Sequence, residues 1–454
     1  MTEKEIITII TSTEANELRS VLAQFHPFDL ASVFPKLKSE QKEQIINLLN
    51  AEELAEIFSY LDEDDAETIL SAGDSSRIAE IINEMEPDDA VDLLASLDNE
   101  QVTSIVNLLD EEVKQDLATL YQYEDDTAGS IMNTNYISIE SGKDIKDLMR
   151  VLVREAPEVE TINTSFVVNQ EGRLLGTLDL KKVIIARSPV LVDDIMNKNF
   201  TAANVTDEIE AVIKKISDYD IYDMPVLENG ILKGIITMDD ALATISEESE
   251  EDYAKLAGLS DTEKIDESIH KSIRKRLPIL AILLVLDIFV AIVISAYDYL
   301  FTIPALAVIT IFQPIILALA GNTGTQSLGV TIQKIANGQL EKRNLIIKHI
   351  LREFAIGILS SLVVGILVFL FTSGYLYLTG EKEIFFDIGL VVGLSVIAGL
   401  GVSNLFGSVT PILLDKINLD PAAISGPFLT TMLDIFAVLI YFALTTALVY
   451  NKIT

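Results

Sequence analysis

The sequence predicts a multidomain membrane protein. The expected parts are an all-α acidic helical solenoid, an α/β tandem pair, a long connecting helix and a five-helix transmembrane domain. Three observations predict them. A twelve-residue apolar period runs through residues 1–127, a short motif recurs after 64 residues in the next part, and five long apolar segments follow residue 270.

The net charge divides the 454 residues into two parts. Residues 271–454 contain 10 acidic and 12 basic side chains, so residues 1–270 carry a net charge of −38. Such an acidic part repels nucleic acid and anionic lipid, and its expected partners are cations or basic proteins. The absence of cysteine excludes disulfides and Cys-based zinc sites. This fits a cytosolic location of the acidic part. The N-terminus lacks a basic region followed by an apolar core, so no signal peptide is expected.

The solenoid is predicted from repeating apolar positions in residues 1–127. Counting from Leu30 in steps of twelve, apolar residues recur three, four and seven positions later, as at Val33, Phe34 and Leu37. This spacing places them on one face of a short helix. Polar clusters between the copies can cap the next helix. Stacked two-turn helices of this kind form a solenoid.

Most acidic residues of the solenoid are expected to form its solvated face. The alternative is that some of them face another acidic surface and need a divalent ion between the two. Asp89 and Asp92, three residues apart, are the candidates for such a site.

A second repeat covers residues 128–246, with copies at 128–190 and 191–246. Ser130-Ile131-Met132-Asn133 returns as Asp194-Ile195-Met196-Asn197, and each copy ends in a hairpin with a glycine turn. This arrangement resembles a tandem CBS pair, a regulatory module. Gly234 to Asp240 (GIITMDD) is similar to the adenosine-ribose motif of that family. The resemblance implies that Thr237 and Asp240 bind ATP or another adenosine nucleotide. The alternative is a CBS pair without nucleotide.

Residues 247–273 are expected to form a connecting helix. The segment begins with the acidic run Glu247 to Asp252, in which like charges repel each other. It is either a solubilising linker or a lever that leads to the membrane.

Five apolar segments in the transmembrane domain, residues 274–454, are long enough to cross a bilayer. They lie at about 278–297, 303–334, 354–378, 386–413 and 424–449. Basic residues precede the first segment and lie in the loop after the second. By the positive-inside rule, the N-terminus and this loop are cytoplasmic, and the C-terminus lies outside the cell membrane.

Asp434 is the only Asp, Glu, Lys, Arg or His residue between Ile424 and Val449. An aspartate at such a depth costs roughly 2.5–3.5 kcal/mol on insertion scales, so it should face a bundle interior or a wet cavity. One interpretation is a carboxylate satisfied by the hydroxyls of Thr430 and Thr431. The other is a cation site on a transport path.

The second segment supplies further oxygen atoms for such a path. Its polar side chains are Asn322, Thr323, Thr325 and Gln326, between glycines that free backbone carbonyls. Oxygen ligands without cysteine favour a hard cation such as Mg²⁺. Asp287 in the first segment is either a second path residue or a helix-packing residue.

The order of these parts, with GNTGTQ (Gly321 to Gln326) and GPFLTTMLD (Gly426 to Asp434), resembles the MgtE family of magnesium channels over essentially the whole chain. The resemblance implies a homodimer whose pore lies on the two-fold axis. It adds Gly426, Pro427 and Thr430 to the path residues. It also implies that cytosolic Mg²⁺, bound between acidic surfaces, shuts the pore through the connecting helix.

The positions that match the family's sensing acids are Glu208, Glu210, Asp220, Asp240, Glu248, Glu251, Asp252 and Asp420. The chain departs from the family pattern at two places. Thr325 stands where the family commonly has asparagine, and Ala243 replaces an acid.

Two other function classes remain open at this stage. One is a carrier, for Co²⁺ or Mn²⁺ or for Mg²⁺ coupled to Na⁺. The other is an intramembrane aspartyl protease, which needs two catalytic aspartates at matched depth, and only Asp287 could partner Asp434. We expect a transporter and not an enzyme.

Overall fold

The computed structural model describes residues 1–61, 65–66, 70, 74–124, 126–157, 159–263, 267–303, 306–340, 342–417, 419–423 and 426–451. It divides into two compact units, Met1–Ile245 and Ser246–Thr454.

Short helices form the first part of the first unit, as the twelve-residue period predicts. They are α1 Glu3–Ser12, α2 Ala15–Leu22, α3 Pro27–Val33, α4 Ser39–Leu48, α5 Ala51–Phe58, α6 Ser75–Ile82, α7 Pro87–Ala95, α8 Asn99–Val106 and α9 Glu111–Leu120. The predicted copy that begins at Ala66 lies largely outside the described residues.

The polar residues between the copies act as helix caps. The side chain of Asn50 accepts a hydrogen bond from the backbone nitrogen of Glu53 at 2.7 Å, and that of Asp98 accepts one from Gln101 at 2.8 Å. The repeated apolar positions are buried, for example Leu54, Ile57 and Phe58 on α5. Each helix therefore buries one face against its neighbours in a single continuous core.

Two three-stranded sheets form the second part of this unit. The first contains β1 Ser138–Glu140, β2 Thr164–Val168 and β3 Leu174–Asp179, and the second contains β4 Ala203–Asn204, β5 Asp223–Glu228 and β6 Ile231–Thr237. In each sheet the first two strands are parallel and the last two antiparallel. The accompanying helices are α10 Ile145–Glu155, α11 Leu180–Ile185, α12 Val192–Ile195 and α13 Ile209–Tyr219.

The hairpin turns lie where the glycines predict them. Asn229 and Gly230 have φ values of +53° and +84°, a conformation that asparagine and glycine adopt most readily. The two copies thus share strand order, helix position and a glycine-containing turn.

The connection to the membrane helices differs from the predicted helix over 247–273. Helix α14 runs from Met238 to Ala257 and ends at Gly258, whose φ is +83°. A left-handed glycine is a common helix C-terminus. The next helix, α15, begins at Ile269, after the N-cap residue Ser268. A single rod would need helical backbone throughout, and the glycine supplies a turn instead.

The five predicted spans are present among the described residues as five helical segments long and apolar enough to cross a membrane. Their principal helices are α15 Ile269–Ala296, α16 Gln313–Ala336, α17 Arg343–Thr379, α18 Phe385–Asp415 and α19 Gly426–Thr445. A short 3₁₀ turn, Ala307–Ile311, precedes α16. The polar residues that interrupt the second apolar segment are therefore accommodated within one helix.

Glycines bring three of these helices into close contact. A Cβ atom added to Gly407 on α18 would collide with the carbonyl oxygen of Gly324 on α16, and one added to Gly393 would lie 2.9 Å from the carbonyl oxygen of Gly365 on α17. Small residues at membrane helix interfaces permit this approach.

Candidate ion path and carboxylate cluster

Several predicted path residues meet where α16 packs against α19. The hydroxyl oxygens of Thr325 and Thr430 lie 3.4 Å apart. A Cβ on Gly321 would meet the methyl group of Thr430 at 2.5 Å, so only glycine leaves room for this side chain. A Cβ on Gly426 would lie 3.3 Å from the methyl group of Thr325. Thr325, Gly426 and Thr430 therefore form one contact, and Pro427 follows it on α19.

Asp434 lies one turn beyond Thr430 on α19. Its Oδ1 atom is buried and has no hydrogen-bond partner among the described residues. The hydroxyls of Thr430 and Thr431 donate instead to the carbonyl oxygens of Gly426 and Pro427, at 2.9 and 3.1 Å. The interpretation in which these two hydroxyls satisfy the carboxylate therefore does not hold. The charge of Asp287 on α15 acts on Asp434 and adds repulsion.

The remaining path residues lie on two sides of α16. Asn322 and Gln326, four residues apart on one face, are exposed in the single chain. Thr323 is half-buried, and its hydroxyl donates to the carbonyl oxygen of Leu319 at 2.8 Å. Two amides thus remain exposed in the middle of this span in the single chain.

A buried polar network fixes the C-terminal half of α16. The Ser327 hydroxyl lies 3.1 Å from the carbonyl oxygen of Asn404 and 3.3 Å from Glu353. One turn later, Thr331 lies 2.9 Å from Nε2 of His349. These contacts join α16 to α17 and α18 behind the path residues.

A carboxylate cluster lies in the first unit. One oxygen each from Asp88, Glu160 and Asp240 lie within 4.8 Å of one another, an arrangement that could hold a metal ion. Asp88 is in the first turn of α7, Glu160 lies between α10 and β2, and Asp240 is in the first turn of α14. The solenoid and the α/β pair therefore both contribute to the cluster.

The Oδ1 atom of Asp88 is buried and lacks a hydrogen-bond partner among the described residues. An unpaired buried carboxylate is costly, and a cation would relieve that cost. A neutral amide holds the neighbouring acids in place. Nδ2 of Asn133 lies 3.1 Å from Glu86 and 3.0 Å from Glu160.

The pKa values of the acids at the carboxylate cluster are raised. Burial, followed by the charges of Asp89, Asp240 and Glu160, raises the pKa of Asp88 well above its usual range. Burial and the charge of Asp240 raise the pKa of Glu160 to about 8. The same two causes raise the pKa of Asp89 to about 7. Each of these acids is therefore protonated more readily than an isolated exposed carboxyl group.

The predicted sensing acids of the first unit occupy different places. Asp89 is half-buried and adjoins the cluster, whereas Asp92 on the same helix is exposed. Glu208 and Glu210 lie at the start of α13, and Asp220 lies at its end. An eleven-residue helix separates these ends by about 16 Å, so in one chain these three acids do not share an ion.

Two of the predicted sensing acids of the second unit, Glu251 and Asp420, contact the same lysine. Glu248, Glu251 and Asp252 lie on one face of α14 by their spacing. Nζ of Lys255 lies 3.1 Å from Glu251 and 3.1 Å from Asp420. Burial and the charge of Asp420 raise the pKa of Asp252.

The two predicted ribose ligands also lie together. Thr237 is buried, and its hydroxyl donates to Oδ2 of Asp240 at 2.5 Å. Asp240 thus belongs both to the carboxylate cluster and to the motif for an adenosine nucleotide.

Four residues at these sites were not predicted from the sequence. Asp88, Glu86, Glu160 and Lys255 carry no local signal that separates them from other charged surface residues. Asp88 could have been included because it adjoins Asp89 in the first turn of the same helix. Glu160 has no such neighbour, and only the fold brings it to the cluster.

Three family models match the chain. Residues 313–444 match the MgtE divalent cation transporter model, and residues 25–126 match the MgtE intracellular N domain. Residues 128–188 and 192–247 match the CBS domain.

Curated relatives match over most of their length. The magnesium transporter MgtE of Enterococcus faecalis is 36% identical over 328 residues, which cover 72% of this chain and 70% of that protein. MgtE of Thermus thermophilus is 30% identical over 74% of this chain and 73% of that protein. MgtE of Bacillus subtilis is 28% identical over 98% of this chain and 97% of that protein.

Two solved structures resemble the chain over 54% of its length. One is the soluble part of a magnesium transporter, with 32% identity, 98% of that chain covered and a TM-score of 0.51. The other is the cytosolic domain of the Mg²⁺ channel MgtE in complex with ATP, with 31% identity, 100% of that chain covered and a TM-score of 0.51. The three relatives above, which match over most of their length, are named as magnesium transporters. The extent of these matches, the five spans and the paired CBS domains show that the chain is a multi-pass membrane protein and belongs to the MgtE family of magnesium transporters.

Proposed function

We propose that the protein is a Mg²⁺-selective channel of the cell membrane that cytosolic Mg²⁺ closes. The carboxylate cluster of Asp88, Glu160 and Asp240 is the observation that carries the regulatory half of this proposal. The contact between α16 and α19, which leads to the unpartnered carboxylate oxygen of Asp434, supports the transport half.

The proposed ion path follows α16 and α19. Mg²⁺ keeps much of its hydration shell, so it suits a path with few charges and many neutral oxygens. Asp434 supplies the charge, while Asn322, Thr323, Thr325 and Gln326 supply neutral oxygens. The carboxylate attracts the ion, and the neutral groups replace or contact its waters.

The exposed amides of Asn322 and Gln326 support a homodimer. Polar side chains at membrane depth face protein or a water-filled cavity because lipid cannot hydrogen-bond to them. In one chain both side chains are exposed. A second copy across a two-fold axis would enclose them and contribute a second Asp434 to the same pore.

The proposed sensor is the carboxylate cluster. Hard carboxylate oxygens suit Mg²⁺, and the buried, unpartnered oxygen of Asp88 is the kind of atom that a cation satisfies. Because the cluster joins two parts of an acidic chain, an ion there favours their compact arrangement. At a hundred times its dissociation constant, an ion that binds only this form stabilises it by about 2.7 kcal/mol.

Mg²⁺ entry is driven by the membrane potential, which contributes roughly 2.3 kcal/mol per charge for each 100 mV. Closure by the transported ion therefore limits accumulation. In this arrangement the N-terminus is cytoplasmic, so the sensor measures the compartment that the channel fills. The C-terminus lies outside.

The alternative is a carrier for Mg²⁺ or for other divalent ions such as Co²⁺ or Mn²⁺. Planar-bilayer recordings separate the two mechanisms. Unitary current steps support a channel, whereas saturable flux that requires Na⁺ contradicts it.

The regulatory half is tested by Mg²⁺ flux into proteoliposomes, with the free Mg²⁺ on the cytoplasmic face set independently. In the Asp88→Asn/Glu160→Gln variant, we expect inhibition by cytoplasmic Mg²⁺ to require roughly tenfold more ion, with unchanged maximal flux. Glu43→Gln, an exposed acid elsewhere on the solenoid, is the control. Equal inhibition curves for both variants would overturn the sensor.

We further propose that the CBS pair binds ATP or another adenosine nucleotide. Thr237 and Asp240 lie together as ribose ligands should, and one structural relative is a complex with ATP. Because Asp240 also belongs to the carboxylate cluster, nucleotide and Mg²⁺ would be coupled through this side chain.

A further inference from the structure

We infer that the ammonium group of Lys255 takes the place of a Mg²⁺ ion between Glu251 and Asp420. It thereby holds the end of α14 against the membrane helices of the second unit when no metal is bound. This inference rests on the proposed regulation, of which it describes the metal-independent part.

The ammonium group of Lys255 pairs with two carboxylates. Nζ of Lys255 lies 3.1 Å from Oε2 of Glu251 and 3.1 Å from Oδ2 of Asp420. Glu251 lies one turn earlier on α14, whereas Asp420 lies in the connection between α18 and α19. The lysine therefore bridges two acids that are far apart in the sequence.

The position of Asp420 is itself fixed. Its other carboxylate oxygen, Oδ1, accepts a hydrogen bond from the backbone nitrogen of Ala422 at 2.7 Å, and Ala422 is buried. Thus Oδ1 of Asp420 stabilises the turn before α19, and Oδ2 pairs with the ammonium group of Lys255. An acid committed in this way has little freedom to move toward a separate ion.

Apolar packing beside Lys255 shows which helices the end of α14 contacts. Leu256, the next residue, packs against the apolar cluster that Leu328 of α16 forms with Leu429 and Leu433 of α19. The carbonyl oxygen of Leu256 also lies 3.4 Å from the place of a Cβ on Gly426. The end of α14 therefore rests against both helices of the proposed ion path, near the start of α19.

The charges leave a role for Mg²⁺ beside the lysine. Glu251, Asp252 and Asp420 together carry three negative charges, and Lys255 compensates one of them. Burial and the charge of Asp420 raise the pKa of Asp252, and the charge of Lys255 only partly offsets them. A divalent ion would then act at Asp252 and add to a contact that already exists.

The experiment measures hydrogen exchange of residues 253–259 in the full-length protein in detergent, with EDTA present. We expect the wild type to be protected without Mg²⁺, and Lys255→Gln to exchange roughly tenfold faster, because two partly exposed ion pairs are lost. Lys255→Arg should retain most of the protection. Raising NaCl from 50 to 500 mM should speed exchange in the wild type and have little effect on Lys255→Gln.

A double-mutant cycle identifies the partner. Asp420→Asn should also speed exchange, and combining it with Lys255→Gln should add less than the sum of the two effects. Size-exclusion profiles and exchange of residues 386–413 show whether the variants remain folded. Equal exchange of the wild type and Lys255→Gln in EDTA would overturn the inference.

Hydrogen exchange of the same variants with added Mg²⁺ tests the proposed regulation separately from the role of Lys255. Mg²⁺ added to Lys255→Gln should restore protection if the sensor exists. A missing response to Mg²⁺ in every variant would contradict regulation by Mg²⁺, whereas the EDTA comparison alone decides the role of Lys255.

Discussion

The side-chain amide of Asn133 donates a hydrogen bond to Glu160 across 3.0 Å. Asn133 is completely buried, and the same nitrogen lies 3.1 Å from Glu86 of the solenoid. The amide orders two acids at the edge of the carboxylate cluster without neutralising them. The cluster is thus shaped before any cation arrives.

We therefore expect Asn133→Leu to weaken Mg²⁺ binding by roughly tenfold, since hydrogen bonds to charged groups contribute about 1.5–3 kcal/mol each. Isothermal titration calorimetry of the full-length protein measures the change. Asn135→Ala removes a single 2.9 Å contact with Glu86 and should have a smaller effect. Identical affinities for Asn133→Leu and the wild type would contradict the positioning role.

The raised pKa values predict how pH acts on the cluster. Burial and the charge of Asp240 raise the pKa of Asp89 to about 7 and that of Glu160 to about 8. Without metal, the stability of the compact arrangement relative to the open one is greatest below the ordinary carboxyl pKa, near 4. This stability is lost as pH rises through 7 and 8, because Asp89 and Glu160 then release the protons that they hold more tightly in the compact arrangement than in the open one.

Mg²⁺ competes with these protons, so its binding should tighten between pH 6.5 and 8.5. For each proton released on binding, the affinity for Mg²⁺ can rise by at most about tenfold per pH unit. The Mg²⁺ concentration that half-protects the first unit from protease measures this change. A midpoint that does not move with pH would exclude these acids as ligands.

Asp434→Asn should lower Mg²⁺ flux at least roughly a hundredfold. A unit charge at about 4 Å contributes about 4 kcal/mol at an effective dielectric constant of 20, and the amide removes that attraction while keeping the shape of the side chain. Stopped-flow uptake into proteoliposomes gives the rate. Asp287→Asn is the matched control in the membrane unit. An equal loss in both variants would assign the path to the pair of acids and not to Asp434 alone.

Gly407→Ala should destabilise the membrane unit by about 1–3 kcal/mol, because the added methyl group collides with the backbone of Gly324. Gly399→Ala on the same helix is the control, since a Cβ there meets nothing within 4 Å. Thermal unfolding in detergent compares the two. Similar melting temperatures would show that α16 and α18 can separate at little cost.

Thr237→Val should weaken the binding of ATP to the CBS pair, because it removes the hydroxyl that pairs with Asp240. Thr244→Val is the control, since its hydroxyl donates only to the carbonyl oxygen of Asp240 within the same helix. Nucleotide titration followed by calorimetry distinguishes them. We expect a loss of roughly tenfold for Thr237→Val alone.

Periodicity explains why most of the fold could be predicted from the sequence. The twelve-residue spacing of Leu30, Val33 and Phe34 and the glycine turn at Gly230 are local signals, and local signals determine helices and hairpins. The connecting helix was the exception. Gly258 inside a charged stretch is an ordinary helix end, yet the prediction continued the helix to residue 273.

The sites depend on contacts that no local pattern records. The spacing from Glu251 to Lys255 indicates a helical ion pair, but Asp420 joins it from a distant part of the chain. Glu160 likewise reaches Asp88 and Asp240 only after the solenoid and the α/β pair have folded. Sequence reasoning therefore found the acids as a class but not their grouping.

The glycine contacts limit which helices could move in the proposed channel. Where Gly407 meets Gly324 and Gly393 meets Gly365, backbone touches backbone, and sliding by a fraction of a turn would replace a glycine with a larger residue. Helices α16, α17 and α18 should consequently travel as one rigid body. The hinge of any opening motion is then confined to α15, α19 and the end of α14, so labels for distance measurements belong on those three elements.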